Sequence, residues 1–278
     1  MTQDIATTAD PSQGYTIIAA PTPPTTLRRT GIGALDDLLG GGFDPGSVWS
    51  IEGAPGAGKT LLALHFLAQG ISEGEPGLYI TVSEPPAKIA QFLARHWPRL
   101  EAAVTQRQLA ILDPSPFFTE LRLAKSRRAK GQGDAWDEIW RFVQDATKQS
   151  RNMGAQRIVI DPLTPLLLAN DSAIDLWDIT QTLVAALGEN RGATTLVTHV
   201  ALEQSGFTAI GATLRALCTG VLQMQTQHDL AGRAQLGIQA IKRRYAPVAG
   251  HEVSVTIGVG GHARPREPNT RPLGEHVA

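Results

Sequence analysis

The chain has 278 residues, 42% hydrophobic and 18% charged, a globular composition with enough apolar material for a sizeable core. A net charge of −1 and an isoelectric point near 6.7 exclude the global attraction to nucleic acid or anionic membrane that a strongly basic protein has. The single cysteine, Cys218, excludes an intramolecular disulfide and a cysteine-based zinc cluster, and it fits a reducing compartment.

The start MTQDIATTAD lacks the charge and apolar run of a signal peptide, and nothing approaches ~18 consecutive apolar residues, so a cytoplasmic location is expected. Residues 1–26 contain no Lys or Arg and end in Pro21-Thr22-Pro23-Pro24, which predicts a flexible tail. The Pro-rich end at 260–278 predicts a second one, leaving a single domain over 27–259.

Ser47 to Glu52 (SVWSIE) predicts a short buried strand, and Leu61, Leu62, Leu64, Phe66 and Leu67 predict a largely buried helix stopped at Gly70. Between them, Gly53-Ala54-Pro55-Gly56-Ala57-Gly58-Lys59-Thr60 matches the phosphate-binding pattern GxxxxGK[ST] at every fixed position. The glycines let the backbone turn tightly and aim its N–H groups at phosphates. Lys59 supplies a positive charge for the β- and γ-phosphates, and Thr60 offers a hydroxyl to Mg²⁺. The helix that starts here turns the positive end of its dipole to the same anion. Strand, loop and helix in this order imply nucleoside triphosphate binding.

Gly77 to Val82 (GLYITV) predicts a second strand, followed by a helix started by Pro85-Pro86 with Ile89, Phe92, Leu93 and Trp97 on one face. Leu109 to Leu112 predicts a third strand. Asp134 is placed to cap a helix with Trp136, Ile139, Trp140 and Val143 on its apolar stripe, ending near Gly154, both tryptophans being expected in the core. RIVID (157–161) and ATTLVT (193–198) are strands, separated by a helix carrying Leu176, Ile179, Leu183 and Leu187 behind a capping-box-like Ser172 and Asp175. The alternation implies an α/β fold, a mostly parallel sheet between helices with ligands at the carboxyl ends of its strands. From Val221 onward VLQMQ, AQLGIQAIKR and HEVSVTI predict closing antiparallel hairpins.

Asp161 ends an apolar strand, from which its carboxylate would reach the metal bound by Thr60; a cap before Pro162 is the structural alternative. Glu84 follows the strand GLYITV where a γ-phosphate should lie and is the candidate general base, against the plainer role of a surface Glu ahead of a proline-started helix. Thr198 and His199 end a strand beside the same position and could sense the γ-phosphate, although His199 equally fits an uninvolved, satisfied histidine. His65, inside an apolar helix, is expected to be packed. Arg122 to Lys130 (RLAKSRRAK) could contact nucleic-acid phosphates or an acidic partner, but such runs are more often solvated faces, and no aromatic interleaves with it.

These segments together resemble the RecA-like ATPases and, within them, the KaiC-like family. The resemblance rests on Thr30 to Thr60 (TGIGALDDLLGGGFDPGSVWSIEGAPGAGKT), Gly77 to Ile89, Arg157 to Leu166, Ala193 to Val200 and the late IKRR (Ile241 to Arg244). It implies a RecA-like fold, ATP with Mg²⁺ as cofactors, and a ring-forming homo-oligomer, commonly a hexamer, with ATP between subunits. It further implies that Lys242 and Arg244, matching a KxR element, reach a neighbour's γ-phosphate; a solvated strand end is the even alternative.

The chain departs from that pattern in three places. Ser83-Glu84 stands where the family has two glutamates, His251 lies further from the KxR element than usual, and Thr219 falls where an Asp is typical. The expectation is an ATP-binding, slowly hydrolysing regulatory or assembly switch with an unidentified protein partner. Two alternatives stand beside it, a DNA-dependent recombination or repair ATPase and a non-hydrolysing ATP-binding scaffold.

Overall fold

The computed structural model describes residues 26–114, 135–168, 173–188, 192–228, 234–244 and 252–257, short segments at 7–10, 15–18 and 263–265, and residues 117, 119 and 247. The elements run β1 (Thr7–Asp10), β2 (Tyr15–Ile18), α1 (Gly33–Leu38), β3 (Val48–Gly53), α2 (Lys59–Ser72), β4 (Gly77–Thr81), α3 (Pro86–His96), α4 (Pro98–Thr105) and β5 (Leu109–Leu112). They continue with α5 (Ala135–Met153), β6 (Arg157–Asp161), α6 (Thr164–Leu167), α7 (Ala173–Gly188), β7 (Thr194–Val200) and α8 (Ser205–Leu217). Strands β8 (Gly220–His228), β9 (Ala234–Arg243), β10 (Glu252–Ile257) and β11 (Ala263–Pro265) close the chain.

One sheet has the order β11-β10-β9-β8-β3-β7-β6-β4-β5, parallel from β8 to β5 and antiparallel from β8 outward to β11, while β1 and β2 form a separate antiparallel pair. This is the mixed α/β architecture the alternating pattern predicts. Because side chains alternate along a strand, Trp49, Ile51, Tyr79, Val159 and Leu196 share one core with α1 to α4. Val48, Leu78, Ile80, Ile158, Ile160 and Val197 share the other with α5 to α8. Both faces are thus covered, which is why these strands read as unbroken apolar runs.

Three local expectations are corrected. Gly70 does not stop α2, which runs to Ser72 and leaves through Gly74 at φ 77. Gly70 is instead a point of close approach, where a Cβ would lie 2.3 Å from Cδ of the buried Arg157. Trp97 is not on the face of a continuous helix: it breaks α3 from α4 at φ −137 and ψ 62, because Pro98 bars its predecessor from helical geometry. Trp140 is 46% exposed, and α5 buries Phe142, Val143 and Ala146. The side chains of Trp136, Ile139 and Asp175, and residues Asp134, Ser172, His251 and Arg122 to Lys130, lie outside the described residues. No described helix is long and apolar enough to cross a membrane.

Candidate nucleotide site

Strand β3 delivers Gly53 to the carboxyl edge of the sheet, and the chain turns through Ala54, Pro55, Gly56 and Ala57 to Gly58, where α2 begins. Gly58 sits at φ 83, and a Cβ there would meet Leu236 of β9 at 2.5 Å, so this turn demands glycine on both counts. Lys59 is buried and folds back, its Nζ donating to the carbonyls of Gly53 and Ala54 at 2.8 Å each. Burial lowers its pKa, and the Asp161 charge works against that shift.

Across the sheet edge, Asp161 at the end of β6 meets Thr60 at the start of α2. Thr60 Oγ1 donates to Asp161 Oδ2 at 2.7 Å. The same Oδ2 accepts the Tyr79 hydroxyl of β4 at 2.7 Å, and Oδ1 accepts the Thr198 hydroxyl of β7. Asp161 and Thr60, expected to share a metal, are thus directly hydrogen-bonded, and Thr198, expected beside the γ-phosphate, is bonded to the same carboxylate. Tyr79 was missed, since an aromatic inside an apolar strand reads as core. Burial, reinforced by the Asp161 charge and hydrogen bond and by the Glu84 charge, drives the Tyr79 phenol up, so it remains a donor at neutral pH.

The alcohol and carboxylate of Thr60 and Asp161 are hard oxygen donors of the kind Mg²⁺ takes. Among the described residues no three His, Cys, Asp or Glu side chains cluster as a self-sufficient metal cage. A single carboxylate with one hydroxyl fits a metal that takes its remaining ligands from water and phosphates.

Glu84 has its own partners outside this cluster. Its carboxylate is half exposed and pairs with Lys88 one turn along α3 at 2.6 Å, while its carbonyl accepts the Thr81 hydroxyl. Lys242 and Arg244 likewise have partners outside the cluster: Lys242 Nζ donates to the Arg215 and Ala216 carbonyls at 2.5 and 2.8 Å, and Arg244 Nη2 to those of Ala216 and Leu217 at 3.3 Å each. Both cations therefore sit on the carbonyl end of α8, where the helix dipole favours positive charge. Thr219 stitches this region to β3, its N–H donating to the Val48 carbonyl at 2.8 Å and its carbonyl accepting the Arg244 N–H at 2.7 Å.

The opposite face of β3 carries a second polar group. Glu52, fully buried, pairs through both carboxylate oxygens with Arg215 of α8 and accepts Gln223 Nε2 at 3.2 Å. His199 is directly opposite it in register, with Nε2 3.4 Å from Oε2 and no formed hydrogen bond. Burial works to raise the Glu52 pKa, but His199 and Arg215 outweigh it and hold the carboxyl below its usual range. His199 thus faces away from Asp161 and Thr198; it is buried, but neither ring nitrogen has a hydrogen-bond partner, so it is not the satisfied histidine that was the alternative to a phosphate sensor. His65 is packed as expected, edge-on to Trp97 at 4.9 Å.

With this geometry in place, the family model described as "ATPase: KaiC" matches residues 28–262. The chain belongs to the KaiC family of ATPases. A UPF0273 protein of Pyrococcus horikoshii is 29% identical over 144 residues, covering 52% of this chain and 57% of the relative. The circadian clock oscillator protein KaiC of Parasynechococcus marenigrum is 32% identical over 178 residues, covering 64% of this chain and 33% of that protein. The match thus spans little more than half of the first relative and a third of the second. A solved KaiC-like protein from the hyperthermophile Pyrococcus horikoshii superposes with a TM-score of 0.67 at 22% identity, over 87% of this chain and all of that one. That likeness shows the RecA-type fold of the KaiC family.

Proposed function

We propose that the chain binds MgATP at Gly53 to Thr60, hydrolyses it slowly, and uses the bound state to assemble into a ring of its own copies, expected to be a hexamer, that regulates a protein partner. Asp161 and Thr60 would hold the metal. Bound Mg²⁺ would neutralise charge on the β- and γ-phosphates. Lys59 would exchange its two loop carbonyls for phosphate oxygens, and the loop N–H groups would orient the triphosphate.

The observation that carries the assembly is the strand register. Gly53 pairs with Met224, and Met224 with Ile238, so Ile238 is level with the chain's own loop. Lys242 pairs with Val221, which pairs with Ser50 toward the amino end of β3, roughly 10 Å from that level at ~3.3 Å per residue. That displacement favours a role for Lys242 and Arg244 at a neighbour's phosphates over their own, in exchange for the α8 carbonyls they hold here. A cation supplied across an interface stabilises transition-state charge only when the interface is closed, so turnover would follow assembly.

A second reading, an ATP-binding scaffold without hydrolysis, is favoured by one observation: the Glu84 carboxylate is engaged with Lys88 at the surface. Light scattering with and without MgATP, paired with phosphate release, separates the two. The proposal predicts a nucleotide-dependent rise in mass that Lys59→Ala abolishes, with turnover lowered by Glu84→Gln. Assembly without phosphate release would favour the scaffold, and a monomer under every condition would overturn the ring. Phosphate release stimulated severalfold by single-stranded DNA would favour the recombination class.

A further inference from the structure

Asp161 is held by three hydroxyls from three different elements, Thr60 on α2, Tyr79 on β4 and Thr198 on β7. A carboxylate offers about four acceptor positions, two on each oxygen. Thr60 and Tyr79 fill both positions on Oδ2, Thr198 fills one on Oδ1, and the carboxylate plane is fixed by bonds to both oxygens. The Thr60 hydroxyl differs from the other two, because it is also the group that the loop sequence offers to a metal. A metal binds that hydroxyl through an oxygen lone pair and leaves its proton in place, so Thr60 can hold the metal and still donate to Asp161. Among the described residues, Tyr79 and Thr198 are the hydroxyls that hold the carboxylate without themselves being offered to the metal.

The geometry points to Tyr79, acting with Thr198, as a positioning residue that keeps the Asp161 carboxylate aimed at the Mg²⁺ that Thr60 would hold. Tyr79 is suited to that task by more than one feature. Its ring is buried among the side chains of the α2 core, so the hydroxyl is carried by a rigid plane with little freedom to lose. It reaches Asp161 from two residues back along a neighbouring strand, since Thr81, not Tyr79, is the register partner of Asp161. The bond therefore comes from the length of the phenol and is not available to a serine or threonine at the same place. Outer partners of this kind hold a metal-binding group in one orientation and raise its effective affinity.

This inference rests on the reading of Gly53 to Thr60 as a MgATP site, and the experiment keeps the two apart. Nucleotide affinity of the full chain is measured by calorimetry without metal and across a Mg²⁺ titration, for the wild type, Tyr79→Phe and the isosteric Thr198→Val, with a melting curve for each apo protein. The expected result is a Mg²⁺ half-saturation point raised roughly tenfold in Tyr79→Phe, with metal-free affinity little changed. Thr198→Val should shift in the same direction and carries the test alone should Tyr79→Phe not fold. An unchanged half-saturation point overturns the positioning role. A parallel fall in metal-free affinity and melting temperature also overturns it, by showing that the hydroxyl serves only packing. Failure of the wild type to bind nucleotide at all would sink the underlying site reading instead.

Discussion

Single residues in this chain owe their behaviour to which face of the sheet they occupy. His65, on the α2 face, is buried against Trp97, and its Nε2 has no hydrogen-bond partner. Burial pulls its pKa from 6.5 to about 4. The unfolded chain therefore binds a proton that the folded chain refuses between those values, so this contribution to stability is complete above pH 6.5 and lost as the pH falls toward 4. The loss is on the order of 3 kcal/mol. Denaturant unfolding at pH 7 and pH 4.5 should show a smaller drop in His65→Leu than in the wild type; equal drops would mean that His65 is protonated in the native state. His65 was legible as a packed histidine from its apolar helix. Tyr79, Glu52 and Arg215 were not, because one letter in a strand or helix does not reveal which distant group it will meet.

Among the elements, α2 joins the loop to the fold and is clamped from below by Arg157. That guanidinium is buried, ion-paired with Glu73 and Glu75 at 2.7 and 2.6 Å, bonded to the Arg29 and Phe66 carbonyls, and stacked 4.6 Å from the Phe66 ring centroid. Gly70 leaves the room it needs. Glycine to alanine inside a helix ordinarily stabilises by up to ~1 kcal/mol, but here the added methyl would collide with a side chain that cannot swing away. Gly70→Ala should destabilise by about 2 kcal/mol by thermal or urea unfolding, and a gain in stability would contradict the clamp. The sequence suggested a stop at Gly70 because glycine commonly ends helices, and the competing cause, a buried arginine 87 residues further along, is invisible locally. The strands β3, β4, β6 and β7 were legible because both of their faces are buried. The helix face that carries Trp140 was not, since an amphipathic stripe does not show where its edge falls.

For the molecule as a whole, the sheet separates two tasks. Its α2 face carries Lys59, Thr60, Asp161, Tyr79 and Thr198, the parts of the proposed metal and phosphate site. Its α8 face carries Glu52, directly before the loop, tied through Arg215 to the helix end on which Lys242 and Arg244 rest. On the proposed function, a neighbour's phosphates would draw both cations off the Ala216 and Leu217 carbonyls and thereby uncap α8. Assembly would then be felt at the strand that leads into the chain's own loop. All of this depends on the loop binding a triphosphate. Titration calorimetry of MgATP into the full chain, wild type and Lys59→Ala, tests that claim most directly. Saturable binding by the wild type, weakened roughly tenfold or more in Lys59→Ala, is the predicted result; equal affinity in the two proteins, or no heat of binding in the wild type, would contradict it.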